Sequence, residues 1–153
     1  MANTYSQSYI HVVFSVKRRE SLIKEEYREQ LQRYITGIVQ KRNSKMLSIY
    51  CMPDHIHIFI GLNPSSALSA LVRDIKSGST NYINEQKWFH AKFNWQEGFG
   101  SFSYSKSQIH KVSNYIENQA AHHQKRSFKQ EYIEWLKKYD VDYNEKYLFD
   151  LND

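Results

Sequence analysis

Residues 52–60 read MPDHIHIFI, and the rest of the chain is organised around this stretch. From His55 onward, every second residue is an isoleucine, and this alternation predicts a β-strand, in which successive side chains point to opposite faces. His55 and His57 therefore share one face, and the isoleucines share the other: Ile56, Ile58 and Ile60. Two imidazoles on one face can bind a metal, although histidines also occur on half-exposed sheet faces without any ligand.

A second strand is predicted directly before the first, from Met46 to Met52, because Leu47, Ile49 and Cys51 alternate with polar residues. Pro53-Asp54 lies between the two strands and is typical of a tight turn. The two strands are therefore expected to form a hairpin.

Residues 115–119 read YIENQ and are predicted to lie on a helix that runs to about Gln124. Residues four apart are neighbours on a helix, so Tyr115 and Gln119 lie side by side. If this helix covers the face of His55 and His57, one site combines two imidazoles, an amide oxygen and a phenol. Such a set can hold a divalent metal next to a nucleophile, and we interpret it as the active site.

The order of predicted elements indicates the fold. A strand at Tyr9–Val16 precedes an amphipathic helix at Glu25–Arg42, and a second helix, with Gly78 in its middle, follows the hairpin. Gly78 predicts a bend or close packing. Residues 93–105 read as a loop entering a fourth strand, and Phe128 to Tyr139 form a further amphipathic segment. The order β-α-β-β-α-β suits an α+β, ferredoxin-like (RRM-like) sandwich, with an antiparallel sheet, helices on one face and the tyrosine helix over the other. We expect residues 1–153 to form a single domain.

Composition narrows the functional classes. The net charge of +5 and pI of about 9.2 favour a polyanionic partner, and 12 tyrosines offer stacking surfaces for unpaired bases. The single cysteine, Cys51, excludes an intrachain disulfide framework and a cysteine-rich zinc site. No run reaches the roughly 20 apolar residues of a membrane span, and the first residues have no signal-peptide character. We therefore expect a cytoplasmic protein.

With these residues in view, the chain resembles the single-tyrosine HUH transposases of small bacterial insertion sequences, the IS200-like transposases. No departure is found at the catalytic positions of that family. The resemblance extends over nearly the whole chain, in blocks at Tyr9–Phe14, Met52–His57, Trp95–Phe102, Ser107–Gln108, Tyr115–Gln119, His122–His123 and Phe128–Glu131.

The resemblance implies an enzyme that cleaves and rejoins single-stranded DNA at insertion-sequence ends through a covalent 5′-phosphotyrosine. By position, Tyr115 is the nucleophile, and His55, His57 and Gln119 are ligands of a divalent metal, Mg²⁺ or Mn²⁺. The expected partners are single-stranded DNA with subterminal hairpins and a second copy of the chain, in a homodimer with active sites shared between subunits.

Basic residues are expected to contact phosphates or to lie on a solvated surface: Lys17, Arg18, Arg19, Arg42, Lys45, Arg73 and Lys76. Two other functions are compatible with the sequence. One is a non-catalytic single-stranded nucleic-acid-binding sandwich, in which aromatic rings on the open sheet face stack bases. The other keeps the chemistry in a domesticated HUH nickase or a replication-initiator-like nickase; the short chain disfavours the initiator.

Overall fold

A computed structural model describes residues 5–20, 22–122, 127–144 and 148, without the side chains of Arg19 and His122. Within these ranges, no helix is both long and apolar enough for a bilayer crossing. The main elements are β1 (Tyr9–Ser15), α1 (Glu25–Lys41), β2 (Lys45–Cys51), β3 (His55–Gly61), α2 (Leu68–Gln86), β4 (Gly100–Tyr104), α3 (Ile109–Glu117), α4 (Gln119–His122) and α5 (Phe128–Lys138).

The strands form one four-stranded antiparallel sheet in the order β2-β3-β1-β4. This is the order expected for a ferredoxin-like sandwich, so the predicted fold class is confirmed. The predicted hairpin at Pro53-Asp54 is also present, and the Met52 backbone amide donates to the His55 carbonyl oxygen across it. β1 and β3 are the central strands, so each is paired with a neighbouring strand along both of its edges.

α1 and α2 pack on the face of the sheet that carries Ile56, Ile58 and Ile60, as predicted. The two helices approach each other closely at Gly78, where an added Cβ would lie 2.8 Å from Ile38 Cδ1. The close packing predicted for this glycine is therefore present within a continuous helix.

The prediction for β2 was wrong in one detail. The pairing of β2 with β3 shifts register between Met46 and Ser48, which is a β-bulge. Because of this extra residue, Leu47 packs on the opposite face of the sheet from Ile49 and Cys51. Alternation alone could not reveal the bulge, because nothing in the strand's own pattern marks it.

Two helical segments cover the other face of the sheet. α3 packs Val112 and Ile116 on Phe59 of β3, and α5 packs against Val13 and Phe102 of the central and edge strands. The sequence predicted only the first of these covers. The helix of Tyr115 is also shorter than predicted: α3 ends at Glu117, and α4 begins at Gln119.

Candidate active site

The two histidines of β3 lie at the bottom of the interface between the sheet and its second helical cover. His55 is 1% exposed and His57 is fully buried. Both project from the face opposite the isoleucines, as the alternation predicted. Their ring centroids are 5.0 Å apart. A central strand thus presents two imidazoles to one buried position.

His57 is oriented by His11 of β1. His11 Nε2 and His57 Nδ1 are 2.9 Å apart, and the two rings are stacked. Burial, and secondarily the neighbouring His57, hold the pKa of His11 well below its usual value, so His11 is neutral. A neutral His11 can accept the Nδ1 hydrogen of His57, which leaves the Nε2 lone pair of His57 directed into the site.

His55 is oriented in a similar way by a different group. Its Nδ1 lies 2.7 Å from Oδ1 of Asp54, the turn residue before it. Its ring also stacks on Phe128 of α5, with centroids 3.9 Å apart. Donation from Nδ1 to a carboxylate is the arrangement that directs the other imidazole nitrogen toward a metal.

A carboxylate that sequence reasoning did not select completes the cluster. Glu131 of α5 is fully buried, and its Oε1 lies 3.3 Å from His57 Nε2. Its Oε2 accepts a hydrogen bond from the Tyr115 hydroxyl. Glu131 therefore links the predicted histidine site to the predicted nucleophile within one chain.

The residues fit a divalent cation. One donor atom each from His55, His57 and Glu131 all lie within 4.8 Å of one another, and all three residues are buried. Two ligands at about 2.1 Å from one ion are at most about 4.2 Å apart, so a small contraction would close the site on a metal. Two imidazoles with one carboxylate, with further positions left open, form a common metal-binding set in enzymes.

Tyr115 is half-buried and lies between the cluster and a cavity. Its ring centroid is 6.4 Å from that of His57 and 5.9 Å from that of Trp135. On the other side, Tyr115 lines a cavity of about 280 Å³ between α3 and α5, which Lys111 and Lys138 also line. The phenol thus meets a buried carboxylate on one side and, on the other, a cavity whose charged lining residues are Lys111, Lys138 and Glu134.

Gln119, the third predicted ligand, is fully buried next to Tyr115. Its Nε2 donates to the Tyr115 carbonyl oxygen over 3.3 Å. The side-by-side placement expected from four-residue spacing is therefore present across the break at Asn118. A ligand role for Gln119 stays a prediction.

The predicted phosphate-binding residues do not gather at this site. Arg73 and Lys76 belong to α2 on the opposite face of the sheet, and the Lys76 ammonium donates to the carbonyl oxygens of Gln96 and Gly98. Arg42 forms an ion pair with Asp74. Lys17, Arg18 and Lys45 are exposed. The side chain of Arg19 lies outside the described residues, as do the side chain of His122 and all of His123 from the family-like block. Their phosphate contacts stay predictions.

Sequence signals for the two missed residues exist. His11 alternates with the apolar residues of β1, so it shares a sheet face with Val13, which pairs with His57. Glu131 interrupts the apolar stripe of α5 formed by Phe128, Tyr132 and Trp135. A carboxylate within an apolar stripe indicates a buried charge with a specific partner.

Comparison with known proteins gives consistent results. A family profile described as "Transposase IS200 like" matches residues 4–119. The transposase for insertion sequence element IS200 of Salmonella typhimurium is 25% identical over 125 residues, covering 78% of this chain and 81% of that protein. The ISDra2 transposase TnpA of Deinococcus radiodurans is 22% identical over 116 residues, covering 71% of this chain and 81% of that protein.

Solved structures share the fold. A crystal structure of a candidate transposase from Deinococcus radiodurans R1 gives a TM-score of 0.58 at 19% identity, covering 78% of this chain and 96% of that one. The structure of a REP-associated tyrosine transposase bound to a REP hairpin gives a TM-score of 0.59 at 18% identity. The match covers 80% of this chain and 73% of that one. The family profile ends at Gln119, before the helix that carries Glu131.

Proposed function

Because the chain belongs to the IS200-like transposase family, we propose that it cleaves and rejoins single-stranded DNA at insertion-sequence ends, with Tyr115 as the nucleophile. The observation that carries this proposal is the contact between the Tyr115 hydroxyl and Glu131, whose other oxygen faces His57. A tyrosine that becomes covalently attached to DNA keeps the energy of the phosphodiester bond for rejoining, so the reaction needs no ATP.

Different residues of the chain orient the histidines, attract the DNA and attack the phosphate. His11 and Asp54 hold His57 and His55 in the orientations that direct their free nitrogens inward. The lysines of the cavity beside Tyr115 attract the phosphates of the incoming strand. Tyr115 Oη then attacks the scissile phosphorus, forming a 5′-phosphotyrosine and releasing a 3′-hydroxyl.

We propose that His55, His57 and Glu131 bind Mn²⁺ or Mg²⁺, with Gln119 as an additional candidate ligand. When bound, such an ion would act as a Lewis acid on the scissile phosphate. Imidazole donors suit Mn²⁺ better than Mg²⁺, which prefers oxygen ligands and water. We therefore expect Mn²⁺ to support cleavage at lower concentration than Mg²⁺.

The covering of the sheet disfavours a non-catalytic base-stacking function. That function requires an open sheet face with exposed rings, whereas α3 and α5 cover the face of His11 and His57 in the described chain. The imidazoles are fully or almost fully buried, so bases cannot stack on them. No observation favours a replication-initiator function.

Site assembly also enters the proposal. Tyr115 contacts Glu131 and lies beside His57 of its own chain, so we propose that each chain completes its own site. A homodimer remains the expectation from the family resemblance, and light scattering of the purified protein tests it. Sites shared between subunits would require α3 to leave these contacts and to form the same ones on its partner.

The test is incubation with single-stranded oligonucleotides derived from the element's ends, in Mn²⁺ or Mg²⁺. We expect a protein–DNA species that survives a denaturing gel. Tyr115→Phe should abolish it and leave hairpin binding within about twofold, because only one hydroxyl is lost. A covalent species that persists in Tyr115→Phe would contradict the assignment of the nucleophile.

A further inference from the structure

We infer that Glu131 is a catalytic residue that takes the proton of Tyr115 during cleavage and returns it during rejoining. This inference rests on the proposed function and goes beyond a metal-binding role for Glu131. It assigns the two oxygens of one carboxylate to two tasks. Oε1 faces His57 Nε2 at 3.3 Å, on the side where a cation would bind, and Oε2 accepts the hydrogen bond of the Tyr115 hydroxyl.

The position of the carboxylate is defined by the start of α5. Ser127 caps this helix through a capping box with Gln130, and the Glu131 amide donates to the Ser127 carbonyl oxygen. Glu131 thus lies in the first helical turn, where the helix dipole stabilises a negative charge. The side chain is held by the helix and not by a loop, so its two oxygens have fixed directions.

Burial of this carboxylate is costly and indicates a function. Glu131 is fully buried among Phe128, Tyr132 and Trp135, where an apolar residue would pack without desolvating a charge. The Tyr115 hydroxyl offsets part of this cost by donating to Oε2, whereas Oε1 faces the Nε2 lone pair of His57, on the side where a cation would bind. Both of these neighbours belong to the proposed chemistry, so the buried charge serves the site more directly than it serves the core.

The proton transfer balances in both directions. In cleavage, the Tyr115 oxygen forms its bond to phosphorus, the phenolic proton passes to Glu131 Oε2, and the bond from phosphorus to the 3′-oxygen breaks. The leaving 3′-oxygen takes a proton from solvent. In rejoining, an incoming 3′-hydroxyl attacks the phosphorus and gives its proton to solvent, while Glu131 returns its proton to the departing Tyr115 oxygen.

Such a proton acceptor is needed because a free phenol is a weak nucleophile at neutral pH. The pKa of an unperturbed tyrosine is about 10, so few molecules carry the phenolate without assistance. A positioned acceptor for this proton typically accelerates a reaction by about 100-fold to 10,000-fold. Glu131 is the carboxylate that the described residues bring to the Tyr115 hydroxyl.

The test compares covalent-adduct rates for wild type, Glu131→Gln and the matched control Glu29→Gln at saturating Mn²⁺, so that a weaker metal site does not limit the rate. Glu29 is an exposed carboxylate on α1, on the opposite side of the sheet. Glu131→Gln keeps the shape of the side chain and removes its ability to take a proton. We expect its rate to fall by about 100-fold and the control to match wild type.

A second comparison separates proton transfer from a purely structural role. Replacement of Tyr115 by a difluorotyrosine makes the phenol more acidic, so the nucleophile depends less on an acceptor. The deficit of Glu131→Gln should then shrink to about fivefold or less, whereas a deficit caused by misfolding would persist. In metal-free protein without DNA, the ¹⁹F resonance of this residue should shift in Glu131→Gln and stay unchanged in Glu29→Gln.

These experiments distinguish failure of the inference about Glu131 from failure of the proposed function. If wild type forms the adduct and Glu131→Gln forms it within about twofold of that rate, this inference is overturned and the proposed function stands. An undiminished deficit in the difluorotyrosine background, or an unshifted ¹⁹F resonance, overturns it as well. If wild-type protein forms no adduct with any strand while Mn²⁺ binds, the proposed function fails, and the inference fails with it.

Discussion

His57 shows at the scale of one residue how burial creates a site. Its Nδ1 is 2.9 Å from His11 Nε2 and its Nε2 is 3.3 Å from Glu131 Oε1, so the surroundings of both nitrogens are defined. A surface histidine would rotate and change tautomer freely. Here the backbone of β3 and two neighbours fix the ring, which is what a metal ligand requires.

Removal of this ring should weaken metal binding. We expect His57→Ala to weaken Mn²⁺ affinity at least tenfold, or about 1.4 kcal/mol, in calorimetric titration of DNA-free protein. The matched control is His90→Ala, because His90 is exposed and lies in the segment between α2 and β4. Equal Mn²⁺ affinity in wild type and His57→Ala would contradict the ligand assignment.

Tyr132 provides a residue-scale prediction about pH. It is 5% exposed, and burial raises its pKa from about 10 to about 12. A raised folded-state pKa contributes stability that is complete below pH 10 and is lost as pH rises to about 12. Wild type should therefore lose up to about 1.4 kcal/mol more per pH unit in this window than Tyr132→Phe.

Denaturant unfolding at several pH values between 8 and 12 measures this difference. Other tyrosines and lysines also titrate there, so only the difference between the two proteins is informative. Parallel stability curves for wild type and Tyr132→Phe would show that burial does not perturb this phenol.

At the scale of elements, α3 and α5 together form the entrance to the site. The cavity between them is lined by Tyr115 and Trp135, and by the exposed Lys111 of α3 and Lys138 of α5. A single strand that enters here would place its phosphates near both ammonium groups. Such contacts strengthen binding without reading sequence.

We expect the double variant Lys111→Gln/Lys138→Gln to bind single-stranded DNA more weakly and with a smaller dependence on salt. Each lost phosphate contact should reduce the slope of log K against log salt by about 0.7. Lys24→Gln/Lys41→Gln, which removes two exposed charges at the two ends of α1, is the matched control and should behave as wild type. Fluorescence anisotropy over a salt series measures both. An equal effect of the control would show that only net charge matters.

Some features of the strands and helices could be predicted from the sequence, and others could not. The sheet, its order, α1, α2 and the faces of His55 and His57 could be predicted, because periodicity reports which side of an element is buried. The bulge at Leu47 and the end of α3 at Glu117 could not, because they depend on pairing and packing partners. Glu131 was missed for a related reason: its role comes from a contact with residues far away in the chain.

At the scale of the whole molecule, the sheet separates two functions. One face packs on α1 and α2 and forms the larger apolar core. The other face holds the polar cluster beneath α3 and α5. The histidines project from central strands, so the core on the other face of the sheet fixes the backbone that carries them.

Subunit mixing tests whether each molecule completes its own site. His57→Ala and Tyr115→Phe are each expected to be inactive, and their mixture should stay inactive if Tyr115 serves the histidines of its own chain. Sites shared between two subunits would instead restore roughly a quarter of wild-type adduct formation, since a random mixture contains heterodimers with one intact site. Co-purification of an untagged copy with a tagged copy from the same mixture is the control for subunit exchange.

The most direct measurement of the central claim is the identity of the residue joined to DNA. After reaction with a single-stranded end in Mn²⁺, trypsin should release residues 112–125, which contain Tyr115 as their only tyrosine. Mass spectrometry should find the nucleotide on this peptide, attached through a 5′-phosphate. Attachment at any other residue, or cleavage that leaves every peptide unmodified, would contradict the account.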